Sequence, residues 1–471
     1  MDRIYYFLCI FIYMGTFSIS LSQNVILQGN APSYANSELV INRYTDLITK
    51  TEEEIGRCLV DDKGDFKISF NLDRITFVFS HLGIYKAFLY AEPNKTYEII
   101  LPEKIDKTPE EELNPYFIES RIQLGTVNSN EEELNFIIRM FNDAYTPYYN
   151  KHVINFINKE DFSELNADIE RIEKPFVNSN NRFFNNYRKY RYGLLKHLAS
   201  QQKARSVSDE YFREQPVLFY NPAYMELFNQ VYDKYFVFFG RTNKGEKIYN
   251  DINTLKSYSE LKKTLAKDNV FSNDTVIELV ILKEVYDEFY SDNFSRSGLL
   301  NILDTLISDT KIQQHKLMGE RIKTKITKLL SGYYPPTFEL YDSDSNLVKL
   351  TDFLGKYVYL NFCTTQSYTC LSEFELLKDI YDRHKEKMEI ITISIDPLQS
   401  INNNFLKSKN WNWKFLFYGN QPEIIKEYDI RAYPTYYLIG PDGKFIYSPS
   451  RSPAEDFESM LYKAMKIRGD L

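Results

Sequence analysis

The sequence predicts a multidomain α+β protein with three folded parts behind a signal peptide at 1–22. They are an N-terminal antiparallel β-sandwich over 23–106, a central all-α module over 107–331 and a C-terminal α/β domain over 332–471. Three observations carry this reading. Short β-branched and aromatic runs separated by turn residues fill the first part of the chain. Apolar residues then recur at helical spacing from about Pro109 to Leu330. After Gly332-Tyr333-Tyr334-Pro335-Pro336, strand and helix signals alternate. A chain of 471 residues is too long for one core.

At the N-terminus, Met1-Asp2-Arg3 precedes an apolar run from Ile4 to Phe17, followed by Ser18-Ile19-Ser20-Leu21-Ser22. Small residues at Ser20 and Ser22 suit a secretory cleavage site. The apolar run is shorter than the ~20 residues a membrane-spanning helix needs. The expectation is cleavage, export to the periplasm or cell envelope, and no membrane span afterwards. Cys9 lies inside the apolar run and is poorly placed for lipid attachment.

The sandwich rests on Val25-Ile26-Leu27, Leu39-Val40-Ile41, Phe66 to Phe70, Ile75 to Phe79 and Tyr97 to Leu101. Asp61-Asp62-Lys63-Gly64-Asp65 reads as a hairpin turn in which Gly64 supplies a positive φ. Pro93-Asn94-Lys95 reads as a second turn. Cys58 is expected to be a buried, inert thiol beside a strand.

The helical module shows stripes such as Leu134-Ile137-Ile138-Phe141, Leu227-Phe228-Val231-Tyr232 and Leu279-Leu282-Val285-Tyr286. These read as core-facing helix surfaces. Asn221-Pro222 breaks one such segment. The run from Arg182 to Tyr192 is basic and aromatic. It reads as an amphipathic helix with a solvated basic face, or as a partner site. The module carries no metal, phosphate or nucleophile motif.

In the C-terminal part, Tyr357 to Phe362, Glu389 to Ile395 and Thr435 to Ile439 read as strands. Leu371 to Lys385 and Asp456 to Ile467 read as amphipathic helices, and Gly440-Pro441-Asp442-Gly443-Lys444 as a turn. This order predicts helices on both faces of a mixed sheet.

Composition excludes several classes. Hydrophobic residues make up 43% and charged residues 26%, as in a folded protein. A net charge of −8 argues against nucleic-acid binding, which needs a basic footprint. Cys58, Cys363 and Cys370 are too few for a disulfide-stapled scaffold. His81, His152, His197, His315 and His384 are scattered, so neither a metal nor a cofactor is expected.

The segments Pro336-Thr337-Phe338-Glu339-Leu340, Leu350-Thr351-Asp352-Phe353-Leu354-Gly355-Lys356 and Val358-Tyr359-Leu360-Asn361-Phe362 occur in this order. Together with Ala432-Tyr433-Pro434-Thr435 and Pro441-Asp442-Gly443 they resemble the thioredoxin-like disulfide reductases of the bacterial cell envelope, the TlpA/ResA group within the AhpC-TSA-like proteins. The resemblance covers the part from about Tyr334 onward and implies a thioredoxin-like fold there, with Pro434 cis. It also implies a Cys-x-x-Cys active site five residues after Asn361-Phe362. Those positions hold Ser367-Tyr368-Thr369-Cys370, so the first cysteine is replaced by Ser367. Cys363 stands where the family usually carries Trp.

In the intact motif a thiolate at a helix N-terminus attacks a disulfide, and the second cysteine resolves the mixed disulfide. A serine hydroxyl cannot do this, and Ser367 reads instead as a helix N-cap. Cys370 keeps the resolving position. Cys363 and Cys370 bracket one loop and could form a displaced redox pair if they approach closely enough. Alternatively, Cys370 is a semi-buried thiol without chemistry, or it reacts as a single thiol. By the resemblance, Tyr433 and Pro434 would bind an extended substrate, with Tyr368 projecting toward a protein or peptide partner.

Three functions follow. The first is a binding or scaffold module on a degenerate thioredoxin-like site. The second is an active thiol-disulfide oxidoreductase using Cys363 and Cys370. The third is ligand or partner binding by the aromatic helical module.

Overall fold

A computed structural model describes residues 23–127, 130–200, 204–271, 273–396, 409, 411–419 and 421–471. The leader expected at 1–22 lies outside the described residues. In the N-terminal part, nine strands form two facing sheets. They are β1 (Gln23–Asn30), β2 (Glu38–Tyr44), β3 (Glu52–Leu59), β4 (Asp65–Leu72), β5 (Thr76–Leu82), β6 (Tyr85–Ala91), β7 (Thr96–Ile100), β8 (Ser120–Gln123) and β9 (Gly125–Thr126). The sheet orders are β4-β1-β7-β9 and β3-β2-β5-β6-β8. In β4 the alternation is complete: Phe66, Ile68, Phe70 and Leu72 are buried and their neighbours exposed. That period of two turns one face to the core shared with Val25, Leu27, Leu39 and Leu89. Gly64 makes the expected turn at φ +91°.

Three expectations for this part need correction. The sandwich is not purely antiparallel: β1 pairs with β7, and β6 with β8, in parallel. These partners are far apart in sequence, and local turn signals say nothing about such pairings. Nor do the strands stop at residue 106. A short helix, α1 (Pro109–Leu113), is followed by β8 and β9, which extend the two sheets. Cys58 lies within β3 and is only partly buried, because β3 is an edge strand.

Among the described residues eleven helices follow, α2 (Leu134–Asn158), α3 (Leu165–Glu173), α4 (Arg182–Ala199), α5 (Ala204–Tyr211), α6 (Pro222–Val231), α7 (Tyr235–Gly240), α8 (Ile248–Asn253), α9 (Tyr258–Leu265), α10 (Asp274–Glu288), α11 (Arg296–Asp309) and α12 (Gln313–Thr327). Their starts are set by side chains. Asn181, Asn221, Ser257, Asn273 and Ser295 each cap a helix by accepting from a backbone N–H in its first turn. Pro222 opens α6 at a position where no N–H is needed.

In the five-stranded sheet, strands β5 and β6 are buried on both faces. Val78 and Leu89 face the sandwich, while Phe77, Phe79 and Tyr90 join the helical core with Phe184 and Tyr187. Asn135 of α2 fastens this junction by accepting from Tyr90 N at 2.7 Å and donating to Tyr90 O at 3.0 Å. The basic face expected on α4 is largely neutralised rather than solvated. Arg188 is buried and paired with Glu173, and Arg191 pairs with Glu226 and lies over the Tyr145 ring.

The C-terminal part holds β10 (Glu339–Asp342), β11 (Leu347–Lys349), β12 (Tyr357–Cys363), α13 (Tyr368–His384), β13 (Met388–Ser394), β14 (Lys414–Phe417), α14 (Pro422–Glu427), β15 (Thr435–Ile439), β16 (Phe445–Tyr447) and α15 (Phe457–Arg468). The sheet order is β11-β10-β14-β13-β12-β15-β16. Strand β12 is interior, parallel to β13, antiparallel to β15, and buried at every residue. Its Val358, Leu360 and Phe362 face one core with Tyr428. Its Tyr357, Tyr359 and Cys363 face the other, with Phe374 of α13 and Phe457 of α15. The Tyr433–Pro434 peptide is cis, as is Ser448–Pro449. The fold is thioredoxin-like, as expected. Among the described residues no helix is long and apolar enough to cross a membrane.

Candidate functional site at the end of strand β12

The alternation along β12 places its last residue, Cys363, on the side of α13. A short loop follows, and Ser367 then caps α13 by accepting from Cys370 N at 3.3 Å. Cys370 therefore sits in the first helical turn. Both thiols are buried, Cys363 at 1% exposure and Cys370 at 0%.

The two thiols share one buried core. Cys363 is the largest influence holding the Cys370 thiol below its ordinary value. Burial opposes it, while the Thr364 backbone and the Ser367 hydroxyl assist. Cys363 moves the other way. Burial first, and then the neighbouring Cys370, push its thiol well above the usual range. One sulfur of the pair is thus favoured as the thiolate and the other as the thiol.

Two buried carboxylates frame the pair. Asp396, just beyond β13, accepts from Thr364 Oγ1 at 2.7 Å and from Thr365 N and Thr365 Oγ1 at 3.0 Å each. It also accepts from Ser394 Oγ at 2.7 Å. These bonds fix the start of the loop that separates the thiols. Glu373 lies one helical turn beyond Cys370 and accepts from Tyr436 Oη at 2.7 Å. Its negative charge raises both thiols and is a smaller influence than burial.

The surface over the site is aromatic. Tyr368 projects from the start of α13 at 85% exposure. Tyr433 is half-buried and packs with both C-terminal cores. Burial is the main cause that pushes its hydroxyl up to about 12, with Tyr418 and Cys370 contributing. Among the described residues that hydroxyl has no hydrogen-bond partner. Among the described residues, no three His, Cys, Asp or Glu side chains converge as metal ligands would.

Known proteins match this part of the chain. The model of the AhpC/TSA family matches residues 332–448. The thiol-disulfide oxidoreductase ResA of Bacillus thuringiensis is 36% identical over 125 residues, covering 26% of this chain and 71% of that protein. The chain belongs to the thioredoxin-like ResA family. ResA of Bacillus subtilis is 28% identical over 175 residues, covering 37% of this chain and 92% of the relative. A solved thiol:disulfide interchange protein from Bacteroides sp. is 25% identical, covers 29% of this chain and 90% of its own, and has a TM-score of 0.27.

Within this ResA-family domain, the structure brings together Cys363, Ser367, Cys370 and Tyr433. Tyr368 stands at the rim, facing solvent. Sequence reasoning missed Asp396, Glu373 and Tyr436. For Glu373 a signal existed, since three residues after Cys370 is the same face of a helix. For Asp396 the only hint was its position directly after a long apolar strand.

Proposed function

We propose that the C-terminal domain is a redox module that cycles between a Cys363/Cys370 dithiol and an internal Cys363–Cys370 disulfide. The observation that carries this is that both thiols are buried in one core, Cys363 at the end of β12 and Cys370 in the first turn of α13, with the Cys370 thiol held below its ordinary value. The Cys370 thiolate attacks one sulfur of a partner disulfide and expels the other as a thiolate. Cys363 then gives up its proton, and its sulfur attacks Cys370. That step releases the second partner thiolate and closes the internal disulfide. The partner gains two electrons and two protons, and the dithiol loses them.

Burial of both sulfurs sets the rate. The loop from Thr364 to Thr369 must move before a partner disulfide reaches Cys370, so turnover is slow compared with an exposed nucleophile. Tyr368, Tyr433 and Pro434 line the surface over which an extended protein or peptide partner would lie. The same surface favours a second reading, a binding module without turnover, because Tyr368 is almost fully exposed beside the Ser367 cap. We also propose export to the cell envelope, on the strength of the leader-like segment over residues 1–22.

An insulin-reduction assay separates the readings. Slow activity in the wild type that disappears in both Cys363→Ser and Cys370→Ser supports the displaced pair. Equal rates in all three proteins refute it and leave the binding module.

A further inference from the structure

A cavity of about 570 Å³ lies where the sandwich meets the helical module, far along the chain from the thiols. Its apolar wall comes from Ile75, Phe183, Val217, Leu218 and Phe219, and its polar groups from Arg74, Arg182, Asn186, Asn221 and Gln314. We propose that this cavity binds a small organic carboxylate with an apolar chain or ring.

The polar groups set the charge of the ligand. Two guanidiniums line the cavity and no carboxylate does. Arginine stays charged at any working pH. Among the described residues, the Arg182 side chain makes no ion pair or hydrogen bond, and neither the Asn186 nor the Gln314 side chain makes a hydrogen bond. Arg74 is held by the neighbouring carboxylate of Asp73 and lies 4.0 Å from the centroid of the Tyr220 ring. This fixes the guanidinium at the mouth and leaves donors on Arg182 free. Helices α4 and α6 both begin here, with Arg182 as the first residue of α4 and Asn221 as the cap of α6. The positive ends of their dipoles add to the field.

The wall sets the rest of the ligand. A free phosphate or sulfate would gain from the arginines and nothing from Phe183, Leu218 and Phe219. An apolar body of small-molecule size uses both halves of the cavity: burial of the chain supplies affinity, and the charged head fixes orientation. The cavity is built by two modules at once, since Arg74 and Ile75 come from the β4–β5 turn, Val217 to Asn221 from the connection between α5 and α6, and the remaining residues from helices α4 and α12.

The test is calorimetric titration of the full chain with sodium octanoate, octanamide and inorganic phosphate. The expected result is one octanoate site per chain, with octanamide and phosphate each weaker by about tenfold or more. Arg182→Gln should weaken octanoate about tenfold while leaving the melting temperature unchanged. Gln314→Glu, which sets a carboxylate in the cavity, should do the same and serves as the second variant if Arg182→Gln misfolds. The proposal is overturned if octanoate gives no saturable binding, or if it binds Arg182→Gln and Gln314→Glu as tightly as the wild type. It is also overturned if phosphate alone binds as well as octanoate.

Discussion

Asp396 in the C-terminal domain and Glu278 in the helical module are both buried carboxylates saturated with donors, but they hold different things. Asp396 collects the hydroxyls of Thr364, Thr365 and Ser394 and one backbone N–H, all from the strand ends and loop beside the thiols. Glu278 on α10 collects Tyr258 Oη at 2.9 Å, Lys262 Nζ at 3.0 Å, Thr310 Oγ1 at 2.7 Å and His315 Nδ1 at 2.9 Å. Those donors come from α9, the segment after α11, and α12. The same physical device pins one loop in the first case and ties helices together in the second. The lesson is that a buried carboxylate is not by itself a catalytic signal. What matters is whether its donors lie beside a reactive group.

The largest expected effect breaks the helical side of this comparison. Glu278→Ala leaves His315 without its buried acceptor and Lys262 with only the exposed carboxylate of Asp274. It should cost about 3–5 kcal/mol in urea unfolding, while leaving alkylation of Cys363 and Cys370 in the folded protein unchanged. An effect on thiol reactivity without loss of stability would show that the two networks are coupled.

Acid should expose the same difference. Burial alone would raise the Glu278 carboxyl, but its hydrogen bonds outweigh that and hold it at about 2 against an ordinary 4.5. A depressed carboxyl stabilises the fold fully above pH 4.5, and that stability is lost as pH falls toward 2. The loss should approach ~3 kcal/mol. The acid transition of Glu278→Gln should be shallower across this window, as read by circular dichroism against pH.

Much of this architecture is legible in the sequence, and the reasons are specific. The run from Tyr357 to Phe362 is aromatic and aliphatic on both faces, the mark of a strand buried on both sides, and β12 is an interior strand between β13 and β15. Ser367 reads as a cap because its hydroxyl sits directly before a helical stripe. In contrast, β14 spans only Lys414–Phe417 and has too few residues to show a period. Glu373 and Asp396 look like solvated charges until the fold buries them, and the Glu373 partner Tyr436 is 63 residues away. Spacing alone also could not say whether Cys363 and Cys370 meet, because that depends on the loop path Asp396 imposes.

Two smaller effects sharpen the C-terminal side. Asp396→Ala removes the acceptor that pins Thr364 and Thr365. It should cost about 2 kcal/mol and accelerate iodoacetamide labelling of Cys370 in the folded protein, whereas Asp396→Asn should recover part of both. Unchanged labelling would mean that Asp396 is structural only, like Glu278. Ser367→Ala removes a cap and should cost about 1 kcal/mol in denaturant unfolding, with the thiol contact preserved.

The most direct test of the displaced pair is thiol alkylation followed by intact mass and peptide mapping, on oxidised and on reduced protein. The account predicts that the oxidised protein takes up label at Cys58 alone and yields a peptide cross-linked between Cys363 and Cys370. Reduction should then open both thiols to label. Full labelling of Cys363 and Cys370 in the oxidised, unfolded sample would contradict it.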